Sequence, residues 1–429
     1  MLGPGADSHR QSMNDKKSKA GIWTVLGPGL LVAATGIGAG DLATASFTGS
    51  ILGTAVLWAA VLGAFLKYVI TEGLARWQLA TGDTLLEGLV RRIGRPVGWF
   101  FLPYLVIWSF FVASALMSAC GVTFHALFPV FEDPVHGKVV FGALSSLVGL
   151  GLVLLGGYEL FEKVMRVCIG VMFVTVLVTA GLLWPGTGEV VKGLLVPAIP
   201  DLSGQGLGWT VALMGGIGGT FTVLCYGYWI REEGRSGPGF LKTCRIDLAT
   251  GYAVTALFGV AMVIIGSTVE LEGRGATLLI RLSDQLVEPL GPIGKWLFLI
   301  GAAGAVFSSL LGVWQAVPYL FADTWSLLHE DGKATPSAAI DTRSPTYRGY
   351  LFALAIVPMA GLFWRFQEIQ KLYAIVGATF IPFLALALLV LNGRTEWVGE
   401  QYRNRPATVI ALVATLAFFA WIAWRRFAG

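Results

Sequence analysis

Apolar residues run along this chain in blocks of about twenty, parted by short polar stretches, and a helix needs roughly 20 apolar residues to cross a bilayer. The pattern predicts about eleven spans, near 22–50, 52–78, 97–124, 139–157, 162–184, 207–230, 246–269, 291–320, 346–365, 370–392 and 407–425. No ten-residue alternation of apolar and polar positions recurs, so the spans are expected to be helices rather than barrel strands. Residues 1–20 are polar and read as a disordered cytoplasmic tail. Residues 21–185 hold spans 1–5 and residues 206–392 hold spans 6–10, two halves of similar length. An odd number of spans in each half requires the halves to be inverted relative to one another. Residues 393–429 add an eleventh helix.

Two spans carry a flaw in the same place. Thr35-Gly36-Ile37-Gly38-Ala39-Gly40-Asp41 interrupts span 1, and Gly215-Gly216-Ile217-Gly218-Gly219-Thr220 interrupts span 6. Clustered glycines are costly inside a helix, so each cluster predicts a break. Broken backbone at membrane depth is tolerated only where protein buries it or a cavity needs it. Matching Gly-interrupted spans in two halves point to the binding site of a secondary transporter.

Composition agrees with a membrane protein. The chain is 55% hydrophobic and 13% charged, against about 25% charged in soluble domains. The four cysteines are scattered, with no CxxC pair, so neither a disulfide framework nor a zinc site is expected. No phosphate loop, metalloenzyme spacing or nucleophile–base pair is present, which argues against an enzyme, a metal centre of side-chain ligands, a cofactor or a nucleic-acid partner. Nineteen Lys and Arg residues fall on the side of the N-terminal tail and nine on the other. That bias predicts a multi-pass protein with a cytoplasmic N-terminus, in a cell membrane of the bacterial inner-membrane kind.

Asp41 is the strongest candidate for chemistry, because a carboxylate near the bilayer centre costs about 2.5–3.5 kcal/mol and is usually functional. A helix cap is its structural alternative, compatible with a functional role. Around it the sequence groups Thr35, Gly36, Gly38, Ala39 and Gly40 from the first break with Gly216, Gly218, Gly219, Thr220, Thr222 and Tyr226 from the sixth span as substrate or ion ligands. Ser308 and Ser309, in span 8, join Asp41 as candidates for a coupling Na⁺ or H⁺. In span 2, Lys67 and Glu72 are five apart and Glu72 and Arg76 four apart; they read as one helix face neutralising buried charge, with a proton path as the alternative.

These residues resemble a known family. Gly27-Pro28-Gly29-Leu30-Leu31-Val32, followed by the glycine break and Leu42-Ala43-Thr44, is similar to span 1 of the Nramp divalent-metal transporters. Ala80-Thr81-Gly82 with Glu87, and Gly218-Gly219-Thr220, resemble the family as well. The resemblance implies a LeuT-like fold of 5+5 inverted repeats, with substrate between broken spans 1 and 6. It also exposes departures. The family's Asp-Pro-Gly-Asn reads Gly38-Ala39-Gly40-Asp41, and its Met-Pro-His reads Thr222-Val223-Leu224 or Val223-Leu224-Cys225. Ala113–Ser118 stands where an acidic pair is expected in span 3.

Loss of the first acid and of the soft thioether predicts that the transition-metal site is gone. The sequence then leaves two readings close together. One is a carrier of a small inorganic anion such as bicarbonate, held by free N–H groups at the breaks and coupled to Na⁺ or H⁺. The other is a carrier of a divalent cation, Mg²⁺ or Mn²⁺, held by oxygen ligands. The anion is slightly favoured. A carrier of an amino acid or other small solute, and a channel or sensor, are the remaining classes.

Overall fold

The computed structural model describes residues 38–155, 158–202, 204–219, 221–269, 277–285, 287–329 and 341–428. All regular structure among them is helical. A π-helical turn, Ala39–Thr44, leads into α1 (Ala45–Leu52), and a 3₁₀ turn, Gly53–Val56, leads into α2 (Leu57–Thr81). There follow α3 (Leu85–Arg92), α4 (Arg95–Leu127), α5 (Pro134–Leu155), α6 (Tyr158–Leu182) and α7 (Thr187–Leu195). The second half contains α8 (Gly206–Gly216), α9 (Cys225–Glu232), α10 (Leu241–Gly266), α11 (Leu278–Gln285), α12 (Val287–His329), α13 (Pro345–Ile356), α14 (Phe366–Ala378) and α15 (Phe380–Leu391). Short α16 (Thr395–Val398) and long α17 (Pro406–Ala428) close the chain.

Eight helical stretches among the described residues are long and apolar enough to cross a membrane, or nine if α6 and α7, bent by 115°, form one span. The sequence predicts eleven, and the difference has identifiable sources. The described end of predicted span 1 and all of predicted span 2 fall within one stretch, Gly40–Thr81, that turns at Gly53 (φ 66°). Predicted span 6 is two short helices, α8 and α9, neither long enough alone. The first break begins at Thr35 and Gly36, outside the described residues.

Helix association in lipid relies on close packing and hydrogen bonds more than on hydrophobic transfer. Here α4 packs against α5 and α12, α2 against α10, and α8 against α14 and α2. Gly63 lets α2 approach α8 so closely that a Cβ there would lie 2.9 Å from the Met214 backbone. Ile107, Leu144, Val148, Ile410 and Val413 remain exposed, an apolar surface suited to lipid.

Polar ties gather near one end of α2. Glu72 pairs with Arg76 at 2.8 Å and with Arg245 of α10 at 2.8 Å. Arg76 also donates to the Tyr402 carbonyl at 2.8 Å and to Asn404 at 3.0 Å. Helix α3 starts with a capping box: the Glu87 N–H donates to Thr84 Oγ1 at 3.2 Å, and the Thr84 N–H donates to Glu87 Oε2 at 2.5 Å. Arg231 of α9 joins Glu87 at 2.6 Å.

Candidate functional site

Helix α8 stops at Gly216, and the last carbonyls of any helix lack intrahelical donors. The chain then passes through Gly218 (φ 71°) and Gly219 (φ 76°), conformations that L side chains rarely adopt. Helical structure resumes in a 3₁₀ turn, Phe221–Leu224, ahead of α9. Phe221 pins the restart: its ring lies 4.2 Å from that of Phe380 and 4.8 Å from that of Trp108.

Three carbonyls of this interruption converge on one side chain. Lys67 Nζ, near the middle of α2 and 1% exposed, donates to the Gly215 carbonyl at 2.6 Å and to the carbonyls of Ile217 and Gly219. Three acceptors match the three donors of an ammonium. The C-terminal end of α8 adds partial negative charge at the same point.

Asp41 reaches the interruption from the π-helical turn. It is 0% exposed, and its Oδ1 accepts the Gly218 N–H at 3.0 Å. Among the described residues its Oδ2 finds no hydrogen-bond partner, nor does Thr44 Oγ1, another buried atom of that turn. Asp41 and Lys67 hold the same short segment, one through the Gly218 N–H and the other through the carbonyls of Ile217 and Gly219. Gly40 and Gly216 bring the backbones together: a Cβ on Gly40 would sit 2.5 Å from the Gly216 carbonyl oxygen. The geometry is a buried, electronegative cage of one carboxylate and three carbonyls, with an ammonium in it.

Of the residues singled out in the sequence, Gly40, Asp41, Gly216, Gly218 and Gly219 lie at this meeting point, and Gly38 packs against Ser309 of α12. Thr35, Gly36 and Thr220 lie outside the described residues, as do the side chains of Ala39 and Thr222. The Tyr226 hydroxyl is occupied elsewhere, donating to Asp247 Oδ2 at 3.3 Å. Ser308 bonds back to the Ala305 carbonyl at 2.9 Å, while Ser309 fills the space beside Gly38 that a Cβ would need. Lys67 was assigned in the sequence to a charge pair with Glu72. Five residues along a helix is a rotation of about 140° off the same face, so the two side chains diverge. A lone lysine deep in an apolar span is itself the signal that marks it as functional.

A family model described as natural resistance-associated macrophage protein-like (Nramp) matches residues 29–426. A divalent metal cation transporter, MntH, of Chromohalobacter salexigens is 25% identical over 319 residues, 69% of this chain and 70% of that protein. A crystal structure of a point mutant of the Eremococcus coleocola manganese transporter superposes with a TM-score of 0.67 at 17% identity, covering 94% of this chain and 87% of the other. MhsT in complex with L-phenylalanine superposes with a TM-score of 0.59 at 16% identity, covering 92% and 96%. The fold is therefore the all-helical, LeuT-like membrane architecture.

The anion expectation is overturned. The family match and the metal-transporting relative point to a divalent metal, and the local geometry gives the physical reason. The interruption of α8 turns carbonyl oxygens inward, and the Gly218 N–H is spent on Asp41. The expected loss of the transition-metal site loses its support with it, since that expectation counted side-chain ligands and left backbone oxygens out. Among the described residues no three His, Cys, Asp or Glu side chains gather, but a cage of carbonyls needs no such cluster.

Proposed function

The chain belongs to the Nramp family of membrane transporters, and from that premise we propose that it carries a divalent metal cation, Mn²⁺ or Mg²⁺, through the cage at Asp41 and Gly215–Gly219. One observation supports this above the rest: the carbonyls of Gly215, Ile217 and Gly219 turn toward a single positive group, beside a buried carboxylate with an oxygen to spare. Oxygen donors suit hard cations, which keep several waters when few carboxylates are offered. The metal is cargo, and Asp41 supplies the one full negative charge of the cage. Thr44 Oγ1, buried and without a hydrogen-bond partner among the described residues, is a further oxygen for the ion or its water.

The proposal extends to architecture: eleven spans, with residues 21–185 and 206–392 as inverted repeats, spans 1 and 6 broken, and 393–429 added. The gap between α8 and α9 supports the second break. The N-terminus is placed in the cytoplasm of a cell bounded by this membrane, on the distribution of Lys and Arg. Coupling to H⁺ or Na⁺ is assigned to Asp41 and Ser309, which abuts Gly38, with Ser308, whose hydroxyl donates to the Ala305 carbonyl, beside it.

The test is uptake of Mn²⁺ and Mg²⁺ into liposomes holding the purified full-length protein. Asp41→Asn keeps an oxygen for the Gly218 N–H and removes the charge. It is expected to stay folded and monodisperse while metal uptake falls at least about tenfold, the effect of about 1.4 kcal/mol lost at the site. Saturable uptake of neither metal by the wild type, or unchanged uptake by Asp41→Asn, would defeat the proposal.

A further inference from the structure

The cage at the α8 interruption already contains a cation, and it is covalently part of the protein. We propose that the Lys67 ammonium is a tethered occupant of the metal cage, holding the carbonyls of Gly215, Ile217 and Gly219 between transport events and giving way to the arriving divalent ion. This inference rests on the divalent-metal reading of the same site.

An ammonium and a metal ion ask the same of a protein: converging oxygen atoms and a nearby negative charge. Lys67 meets that demand with all three of its donors placed on carbonyls. Burying a charge is costly unless it is paired and hydrogen-bonded, and Lys67 is 1% exposed, so the three carbonyls are what hold it there. The unpaired backbone oxygens have the same problem in reverse. Left empty in the membrane interior, they would lack donors and each would cost free energy. A tethered cation removes that cost in the absence of cargo and holds the interruption of α8 in shape. The cage is left with one carboxylate and one ammonium, close to electrically neutral. Asp41 Oδ2 has no hydrogen-bond partner among the described residues and is available to a metal ion as soon as the ammonium withdraws.

The consequence is competition within the molecule. Every divalent ion that enters must displace Lys67, so the lysine lowers apparent metal affinity and favours release. This makes Lys67 a determinant of affinity and not a ligand of the metal. A purely structural lysine, one that only caps α8, predicts the opposite sign: its removal would disorder the cage and weaken metal binding.

The experiment measures Mn²⁺ binding by titration calorimetry and Mn²⁺ uptake in proteoliposomes for the full-length wild type, Lys67→Met, Lys67→Gln and Lys67→Arg. Lys67→Met, neutral and of similar length, is expected to bind Mn²⁺ about tenfold more tightly than wild type, with slower turnover. Lys67→Arg, which keeps the charge, is expected to bind no more tightly than wild type. Should Lys67→Met fail to fold, Lys67→Gln carries the test, since its amide still donates to two carbonyls without a charge. Wild-type uptake of Mn²⁺ together with unchanged or weaker binding in the folded neutral variants would overturn the tethered cation and leave the metal-transport reading intact. Tight Mn²⁺ binding in a neutral variant, with none in the wild type and no uptake by either, would support the tethered cation and overturn transport. Absence of Mn²⁺ and Mg²⁺ binding in every variant would overturn both.

Discussion

Gly218 and Gly219 hold left-handed backbone, where an L side chain costs roughly 1–2 kcal/mol per residue. A Cβ at Gly218 would also meet the Tyr252 ring at 3.0 Å, and that ring is fixed by the Tyr252–Thr71 hydrogen bond of 2.8 Å. Gly218→Ala is therefore expected to lower thermal stability and to cut metal uptake severalfold, because the flanking carbonyls of Ile217 and Gly219 move with it. Gly53 is the matched control, with φ 66° and open space where its Cβ would stand. Gly53→Ala should carry a similar strain, seen as a comparable drop in melting temperature, yet keep wild-type uptake. Equal loss of uptake in both would mean that strain alone, and not cage geometry, sets the effect. At this scale Asp41 and the glycines were visible in the sequence because their residue types conflict with an apolar helix. Lys67 carried the same conflict but was given to Glu72, which pairs instead with Arg76 and Arg245. The three carbonyls could not be seen at all, since every residue has one and only the path of the backbone aims it.

Helix α3 shows what span-counting overlooks. It is a short helix whose buried Leu85, Leu86 and Leu89 face the protein and whose Arg91 and Arg92 close its last turn. Its start is set by Thr84 and Glu87, the spacing of a capping box. Glu87 does two jobs, completing the box and pairing with Arg231 of α9 at 2.6 Å. Thr84→Ala removes one cap bond and should cost about 1 kcal/mol. Glu87→Ala removes the reciprocal bond and the tie to α9, which begins just after the interrupted segment, so its melting temperature should fall further than that of Thr84→Ala. Thermal unfolding of both variants in detergent checks this, and equal melting temperatures would show that the Arg231 pair contributes nothing. The long spans were legible from hydropathy, since twenty apolar residues leave few alternatives. The broken span was legible as a disturbance but not as two separate short helices, because glycine content signals a break without the path the backbone takes through it.

Across the whole molecule the cage is buried between elements from both halves of the sequence, α2 and the Asp41 turn from one and α8 from the other. A cation crossing such a protein moves through the membrane field, worth about 2.3 kcal/mol per charge per 100 mV, hence about 4.6 kcal/mol for a divalent ion crossing the full field. Lys67 stays tethered and does not cross with the metal, so it does not cancel that charge over a complete cycle. Uptake of Mn²⁺ into liposomes is therefore expected to rise several-fold when a potassium diffusion potential makes the interior negative, and to fall when the sign is reversed. The measurement separates classes of transporter that uptake alone does not. Inhibition by an interior-negative potential would require net negative charge to move inward and would overturn cation transport by this cage. Indifference to either sign would mean that compensating cations leave for each metal ion that enters, in which case the coupling assigned to Asp41 and Ser309 must be an exchange rather than a co-transport. A voltage response retained in Lys67→Gln with unchanged sign would place the moving charge on the metal and not on the lysine.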